Sequence, residues 1–268
     1  MRVEARVVGK IDMSRYEDIV LKHERLRGVD YSGRTVDGFC AVGSRLEGCR
    51  FNNFRVRSCP CFGAGREMSE FVDCSFDGAH LDMGSGGCAR FVRCSFRNVV
   101  LRDWRCDRVE MIDCVFSGRI KTAIFNGTVP VEERSFLHRE RNEFHGNDFS
   151  GVDLIDVAFR RGIDLTQQRL PAGPQYLYLP DAAAALAYAQ AEVAKWQGDA
   201  ELRKTALGWI GTCQYEARDG QRQLLLRADD YYGLSPRETE AVDKLFGLLR
   251  SHASAPPGSA GVARSGKT

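Results

Sequence analysis

No apolar run in this 268-residue chain approaches the ~18–20 residues that span a bilayer, so no membrane-crossing helix is expected. An excess of charge of one sign is also missing. Lysine and arginine total 38 and aspartate and glutamate 36, a net charge of +2, which argues neither for nucleic acid nor for an acidic partner. The opening MRVEARVVGKIDMSRYEDIV carries charges throughout and has no hydrophobic segment of the signal-peptide kind; the expectation is a cytoplasmic protein. Histidine is scarce, five residues at 23, 80, 138, 145 and 252 that form no cluster. The pair Cys59 and Cys61 has no second pair at zinc-ligand spacing, so neither a metal nor any other cofactor is expected. Cysteine itself is plentiful, at ten, but in a chain of this length without an export signal reduced thiols are the default.

What is present is a period. FVDCSF at 71–76 returns as FVRCSF at 91–96 and as MIDCVF at 111–116. The unit beneath this twenty-residue echo is five residues long. Every fifth residue from Leu26 to Phe116 is apolar and mostly large, with Arg66 and Gly86 the clear exceptions. Two places earlier, from Ser44 to Cys114, the residues are small, with Phe54 and Trp104 the exceptions. Two inward positions in five fit neither the 3.6 period of a helix nor the alternation of a strand. They fit a coil with four short sides. Gly28, Gly33, Gly38, Gly43 and Gly48 recur at one phase, where tight corners favour glycine. Periodicity of this kind signals a solenoid whose coils bury their faces on one another.

Segments such as VDYSG (29–33), CSFDG (74–78), NDFSG (147–151) and VDLID (152–156) resemble the pentapeptide-repeat consensus. The resemblance covers roughly residues 24–165 and implies an all-β solenoid, a right-handed quadrilateral parallel β-helix with about twenty residues per coil and roughly six coils. Stacked at about 4.8 Å, residues twenty apart should form columns: Phe51, Phe71, Phe91 and Met111; Phe76, Phe96 and Phe116; Cys74, Cys94 and Cys114. Free cysteine suits such a slot as a small hydrophobe. Outward columns should alternate in sign, as in Arg50, Glu70, Arg90 and Glu110, in Arg57, Asp77 and Arg97, in Asp73, Arg93 and Asp113, and in Asp82 facing Arg102. Each exposed pair contributes only ~0–1 kcal/mol, and its role is to set the stacking.

Domain boundaries follow the period. Residues 1–23 are expected to cap the first coil, with MRVEARVVG as a strand and SRYEDIVLKHERL as a short helix. The solenoid then spans 24–166, interrupted by an insertion at about 117–143 that carries Arg119, Lys121, Arg134, His138, Arg139 and Arg141. Two readings of that insertion stand: a projecting loop whose basic residues contact a partner, or a solvated loop balanced by Glu132, Glu133, Glu140 and Glu143. A proline-bearing linker at 167–180 leads to a helical region at 181–252. Its apolar faces are Leu186, Ala189, Val193 and Trp196, then Leu202, Ala206, Trp209 and Cys213, then Val242, Leu245, Phe246 and Leu249. Ser235-Pro236-Arg237-Glu238 reads as a capping box. The tail at 253–268 reads as disordered, and its GVARSGKT lacks the strand and helix that a phosphate loop needs.

The expected function is that of a non-enzymatic interaction or scaffold protein that binds a protein partner through its faces and its loop. A solenoid filled by its own side chains leaves no tube for substrate, and surface acids alternate with arginines, which disfavours an enzyme working on an outer face. The resemblance implies a second reading. Some pentapeptide-repeat proteins bind DNA gyrase or topoisomerase IV, inhibiting the enzyme or protecting it from inhibitors, and some dimerise through C-terminal helices. Alternating charge argues against DNA mimicry, which needs acids in register, and against direct nucleic-acid binding, which needs a basic stripe. A homodimer through the C-terminal helices stays open beside packing of those helices on the solenoid.

Overall fold

The computed structural model describes residues 17–232 and 235–254. The chain divides into two compact units, residues 1–174 with 218–221, and residues 175–217 with 222–268.

The first unit is a stack of coils joined by parallel strands. One six-stranded sheet runs, in both chain and spatial order, through Arg25–Arg27, Arg45–Glu47, Ser69–Val72, Ala89–Val92, Glu110–Ile112 and Phe144–His145. A second runs through Thr35–Val36, Arg55–Val56, His80–Asp82 and the three long strands Ser95–Cys106, Val115–Asn126 and Asp148–Arg160. Spatial order that equals chain order, with every pair parallel, means that each coil lies directly on the last.

Aromatic residues fill the axis. Tyr31, Phe51, Phe76, Phe96, Phe116 and Phe149 stack in a single column, with successive ring centroids 4.7–4.9 Å apart and planes within 12° of parallel. Offset stacking at the strand spacing adds about 0.5–1.5 kcal/mol per pair beyond burial. Beside it runs Leu26, Leu46, Phe71, Phe91, Met111 and Phe144, the inward residues of the first sheet. Cys49, Cys74, Cys94 and Cys114 form the small-residue column, all buried. Each sulfur lies 3.4–3.6 Å from the carbonyl two residues before it, so a weak S–H donor occupies a lone pair that the corner leaves over. Asn147 and Gln168 extend this column as stronger donors, Asn147 Nδ2 donating to Met111 O at 2.9 Å and Gln168 Nε2 to Phe144 O at 3.0 Å.

These columns correct the expected register. Phe51 stacks on Phe76, not on Phe71, to which it presents an edge at 66° and 6.5 Å. Leu26 pairs with Leu46 twenty positions on, whereas Leu46 pairs with Phe71 twenty-five positions on. Five extra residues therefore lie between Val56 and Ser69, in the coil that contains Arg66. Arg66 breaks the apolar pattern because it is exposed there, with its guanidinium 4.8 Å from the Phe136 ring centre. The phase also slips at Cys61, which the five-residue count places inward. Phe62 is the buried residue, while Cys61 is half-buried and Cys59 exposed.

The charge columns shift with the register. Glu70 pairs with Arg45 and Arg90 follows it, while Arg50 turns to Asp30 at 2.8 Å. Arg57 binds Asp37 at 2.8 Å, Arg93 binds Asp73 at 2.7 Å, and Arg97 lies 4.0 Å from Asp77. Arg102 lies in register with Asp82. One corner column needs a left-handed backbone in each coil: Gly28, Gly48, Asp73, Arg93, Asp113 and Gly146 have φ between 51° and 69°. Glycine is free there; the three side chains accept a strained backbone. Gly38 is not such a corner. It opens the strand Gly38–Val42, and a Cβ there would meet Asp18 Oδ1 at 2.6 Å.

At the N-terminal end, Asp18–Lys22 is a strand paired in parallel with Gly38–Val42, where a short helix was expected. Ile19 and Leu21 are buried and alternate with exposed neighbours, so the stack begins within the segment expected to be a separate cap. The expected strand MRVEARVVG and most of the expected tail lie outside the described residues. At the other end Gln221 closes the unit: its Oε1 accepts from Gly162 N and Ile163 N, both at 3.0 Å, and its Nε2 donates to Ile163 O at 3.1 Å.

In the second unit the expected linker contains a strand, Tyr176–Leu179, antiparallel to Leu224–Arg227. Helices α2 (Ala182–Ala194), α3 (Ala200–Glu216) and α4 (Pro236–Ser254) surround a core of Leu186, Ala189, Val193, Leu202, Ala206, Ile210, Val242, Leu245 and Leu249. Asp181 caps α2 and Asp199 caps α3 through backbone N–H groups. The capping box of α4 is formed in both directions, Glu238 N donating to Ser235 Oγ at 3.2 Å and Ser235 N to Glu238 Oε2 at 3.0 Å.

Candidate functional site

The second break in the period is smaller than the sequence implies. Residues 115–126 form a strand paired with both neighbouring coils, so the first ten residues of the expected insertion belong to the stack. Met111 pairs with Phe144 thirty-three positions on, where Phe91 pairs with Met111 twenty positions on. This coil is thus thirteen residues longer than its neighbour, and fifteen residues, 127–141, leave the stack. They depart after Asn126, pass through the one-turn helix α1 (Arg134–Leu137), and return at Asn142. A short antiparallel neck holds the base: Thr128 bridges Arg141, and Val129 N donates to Glu140 O at 2.9 Å. Asn142 ties the neck to the stack, its Nδ2 donating to Asp107 O at 2.9 Å and to Asn126 O at 2.8 Å.

An ion cluster pins the excursion down. Glu110 has only 3% of its side chain exposed and sits between Arg90 at 2.8 Å and Arg139 at 3.3 Å. Arg90 also reaches Glu143 at 2.7 Å. Arg139 donates to Arg108 O at 2.8 Å and to Asn142 Oδ1 at 3.2 Å, and Arg108 meets Glu133 at 3.4 Å. Cys88 lies buried close by. Burial pushes its thiol up, while the Arg139 and Arg108 guanidiniums act in the opposite direction. A carboxylate this buried is tolerable only when paired and hydrogen-bonded, and the insertion supplies half of its pairing.

The six basic residues singled out from the sequence do not converge. Arg119 and Lys121 lie on the strand Val115–Asn126, Arg119 facing Asp153 at 3.9 Å. Arg134 Nε donates to Val129 O at 3.3 Å, and Arg139 is consumed by Glu110 and its surroundings. Arg141 donates to Gly162 O at 2.7 Å. His138 is exposed and ends α1 in a left-handed conformation with φ 51°. What the excursion presents to solvent is Val131, 72% exposed, together with Glu132, Ser135, His138, Glu140 and Arg141. Sequence reasoning missed Val131, and it set Glu110 next to Arg90 correctly but in an outward column, whereas Glu110 is buried. The signal for Val131 was a lone apolar residue after Pro130 in a charged segment; the signal for Glu110 was an acid in an alternating column with no outward reason to be buried.

No protein-family model matches the chain, and no curated protein matches it. Among solved structures, that of QnrB1, a plasmid-mediated fluoroquinolone resistance protein in its M102R trypsin-treated form, aligns with 60% of this chain and 85% of that one, at 15% identity and a TM-score of 0.22. The parallel stack is read from its own register. Among the described residues no helix is long and apolar enough to cross a membrane.

Proposed function

We propose that the chain is a pentapeptide-repeat protein, a right-handed quadrilateral β-helix with an appended helical unit, acting as a non-enzymatic interaction module. Its partner is a protein, engaged by the tip of the excursion at 127–141 and the adjoining outer faces. The observation that carries this reading is the allocation of side chains. Inward positions are committed to stacked rings, outward charges largely to neighbouring coils, and one excursion is anchored by an ion pair at its base while Val131 stays exposed. An exposed apolar residue beside exposed Glu132 in sequence suits a neutral or basic protein surface more than an anionic one.

The repeat resemblance makes DNA gyrase and topoisomerase IV the first partners to test, as inhibitor or protector. Charges that alternate between coils favour loop contact over imitation of duplex DNA. Self-association through the helical unit is also proposed, on α3, which leaves Leu207, Gly208 and Gly211 at the surface; light scattering on the full chain decides it.

A gyrase supercoiling assay, with and without a quinolone, tests the partner. Thr128 and Arg141 are bridge partners, so residues 129–140 can be replaced by an Asn-Gly turn, with Glu110→Gln added to remove the buried carboxylate that loses Arg139. Inhibition or drug protection by the chain, lost in this variant and in Val131→Asp, supports the reading. No effect up to tens of micromolar overturns it for the gyrase tested. An effect retained by both variants moves the contact off the excursion.

A further inference from the structure

Seven of the ten cysteines are buried; Cys40 and Cys61 are half-buried and Cys59 is exposed. Those three lie where the register slips. Cys40 sits mid-strand in Gly38–Val42, outward between buried Phe39 and Ala41. Cys61 is its bridge partner in the next coil. The backbones are locked side by side by Ala41 N donating to Cys61 O at 2.9 Å and Cys61 N donating to Phe39 O at 2.8 Å. Neighbouring strands lie about 4.7–4.9 Å apart, inside the Cα separation of about 4.4–6.8 Å that a disulfide requires. Paired residues on parallel strands point the same way, so the Cys40 and Cys61 side chains leave the sheet side by side.

We propose that Cys40 and Cys61 form a redox-active dithiol on the outer face, closed to a disulfide by hydroperoxides and reopened by thiols. The Cys61 sulfur attacks the peroxide oxygen, the O–O bond breaks, and Cys61 becomes a sulfenic acid while the peroxide leaves as an alcohol or water. The Cys40 sulfur then attacks the Cys61 sulfur, forming the S–S bond and expelling the sulfenic oxygen as water, which also takes up the Cys40 proton. The order follows from position: Cys40 is held mid-strand between Val20 and Cys61, whereas Cys61 is an isolated bridge residue that leads into bends; burial also pushes the Cys40 thiol up. Cys40 is therefore the resolving partner. Oxidation staples two coils that otherwise hold together by non-covalent contacts, the Arg57–Asp37 ion pair among them; reduction by a small dithiol restores both thiols. The cysteine column at the axis is out of reach of this chemistry because its sulfurs are buried against backbone carbonyls.

The test uses the full chain, reduced and then treated with hydrogen peroxide. Expected are the loss of two titratable thiols per chain, a tryptic cross-link between residues 35–45 and 58–66, and full recovery with dithiothreitol. Because the second peptide also contains Cys59, the digestion is repeated on Cys59→Ser, in which the cross-link persists. Cys40→Ser should instead stop at a Cys61 sulfenic or sulfinic acid, trapped by dimedone at the first stage. A Cys59–Cys61 cross-link, or a Cys40 that remains alkylatable after Cys61 has been oxidised, overturns the assignment. Thermal unfolding of Cys40→Ser in reductant, unchanged from wild type, separates loss of the chemistry from loss of the fold.

Discussion

Glu110 should control whether the excursion stays closed. Replacing it by glutamine leaves the shape nearly intact but removes the charge that Arg139 faces at 3.3 Å. Breaking a buried ion pair by deleting one partner costs about 3–5 kcal/mol. Two features place this site at the low end. Arg139 keeps 15% of its side chain exposed, and its bonds to Arg108 O and Asn142 Oδ1 survive. Arg90 retains Glu143 at 2.7 Å, so only one guanidinium loses its compensation. A cost of about 3 kcal/mol corresponds to a roughly 100-fold larger opening constant. The chain has two units, so a global unfolding curve mixes events; amide exchange reads the local one. The Val129 and Asn142 amides, bonded to Glu140 O and Gly127 O, should exchange about 100-fold faster in Glu110→Gln, whereas Phe91 and Phe96 should not change. Pairing the change with Arg139→Met should return most of the loss, because the double variant buries no orphan charge. Unchanged protection at Val129 and Asn142, or a double variant worse than the sum of the singles, would refute the view that this pair anchors the excursion.

Three further outcomes follow from the stack. Phe96, between Phe76 at 4.7 Å and Phe116 at 4.9 Å, should cost about 3–5 kcal/mol as Phe96→Ala and distinctly less as Phe96→Leu; equal losses in urea unfolding would mean that ring stacking adds nothing. Gly63→Ala should fail to reach the native register, since its Cβ would meet Cys88 O at 2.1 Å, and a variant with wild-type stability would contradict that packing. Asp30 is held below the usual carboxylate range chiefly by the Ser32 hydroxyl, Asp73 by Arg93, and Asp148 by Ser150. A folded-state pKa below the unfolded value of about 3.9 gives stability that is complete above that value and is lost as pH falls through the folded one. The melting temperature of the stack should therefore be flat near neutrality and decline below about pH 4, and a decline that begins on the alkaline side would invert the sign.

The five-residue grammar was legible because each inward slot recurs with the same size, and the three C-terminal helices were legible from their apolar faces and the Ser235–Glu238 box. The register was not. In a chain where every fifth residue is interchangeable, a coil with one extra pentapeptide looks like any other, so Phe51 was matched with Phe71 when its ring lies on Phe76. Arg66, the residue that broke the pattern, marked the place. The strand Tyr176–Leu179 was hidden by flanking prolines and by a partner, Leu224–Arg227, far along the chain. At the candidate site the basic residues were counted correctly but their directions were not legible. Whether Arg139 faces solvent or Glu110 depends on a closure that brings distant segments together, and no local spacing encodes it.

Between Val56 and Ser69 the stack absorbs five extra residues, and between Asn126 and Asn142 thirteen, yet after each the rings resume at 4.7–4.9 Å. The fold keeps count of columns and is indifferent to the contour length between them. A corner of this stack is therefore a graft point: a foreign segment whose ends meet the spacing of one neck should be displayed without disturbing the coils on either side. Chain length and coil number can then drift independently, and one scaffold can carry different protrusions on an unaltered spine.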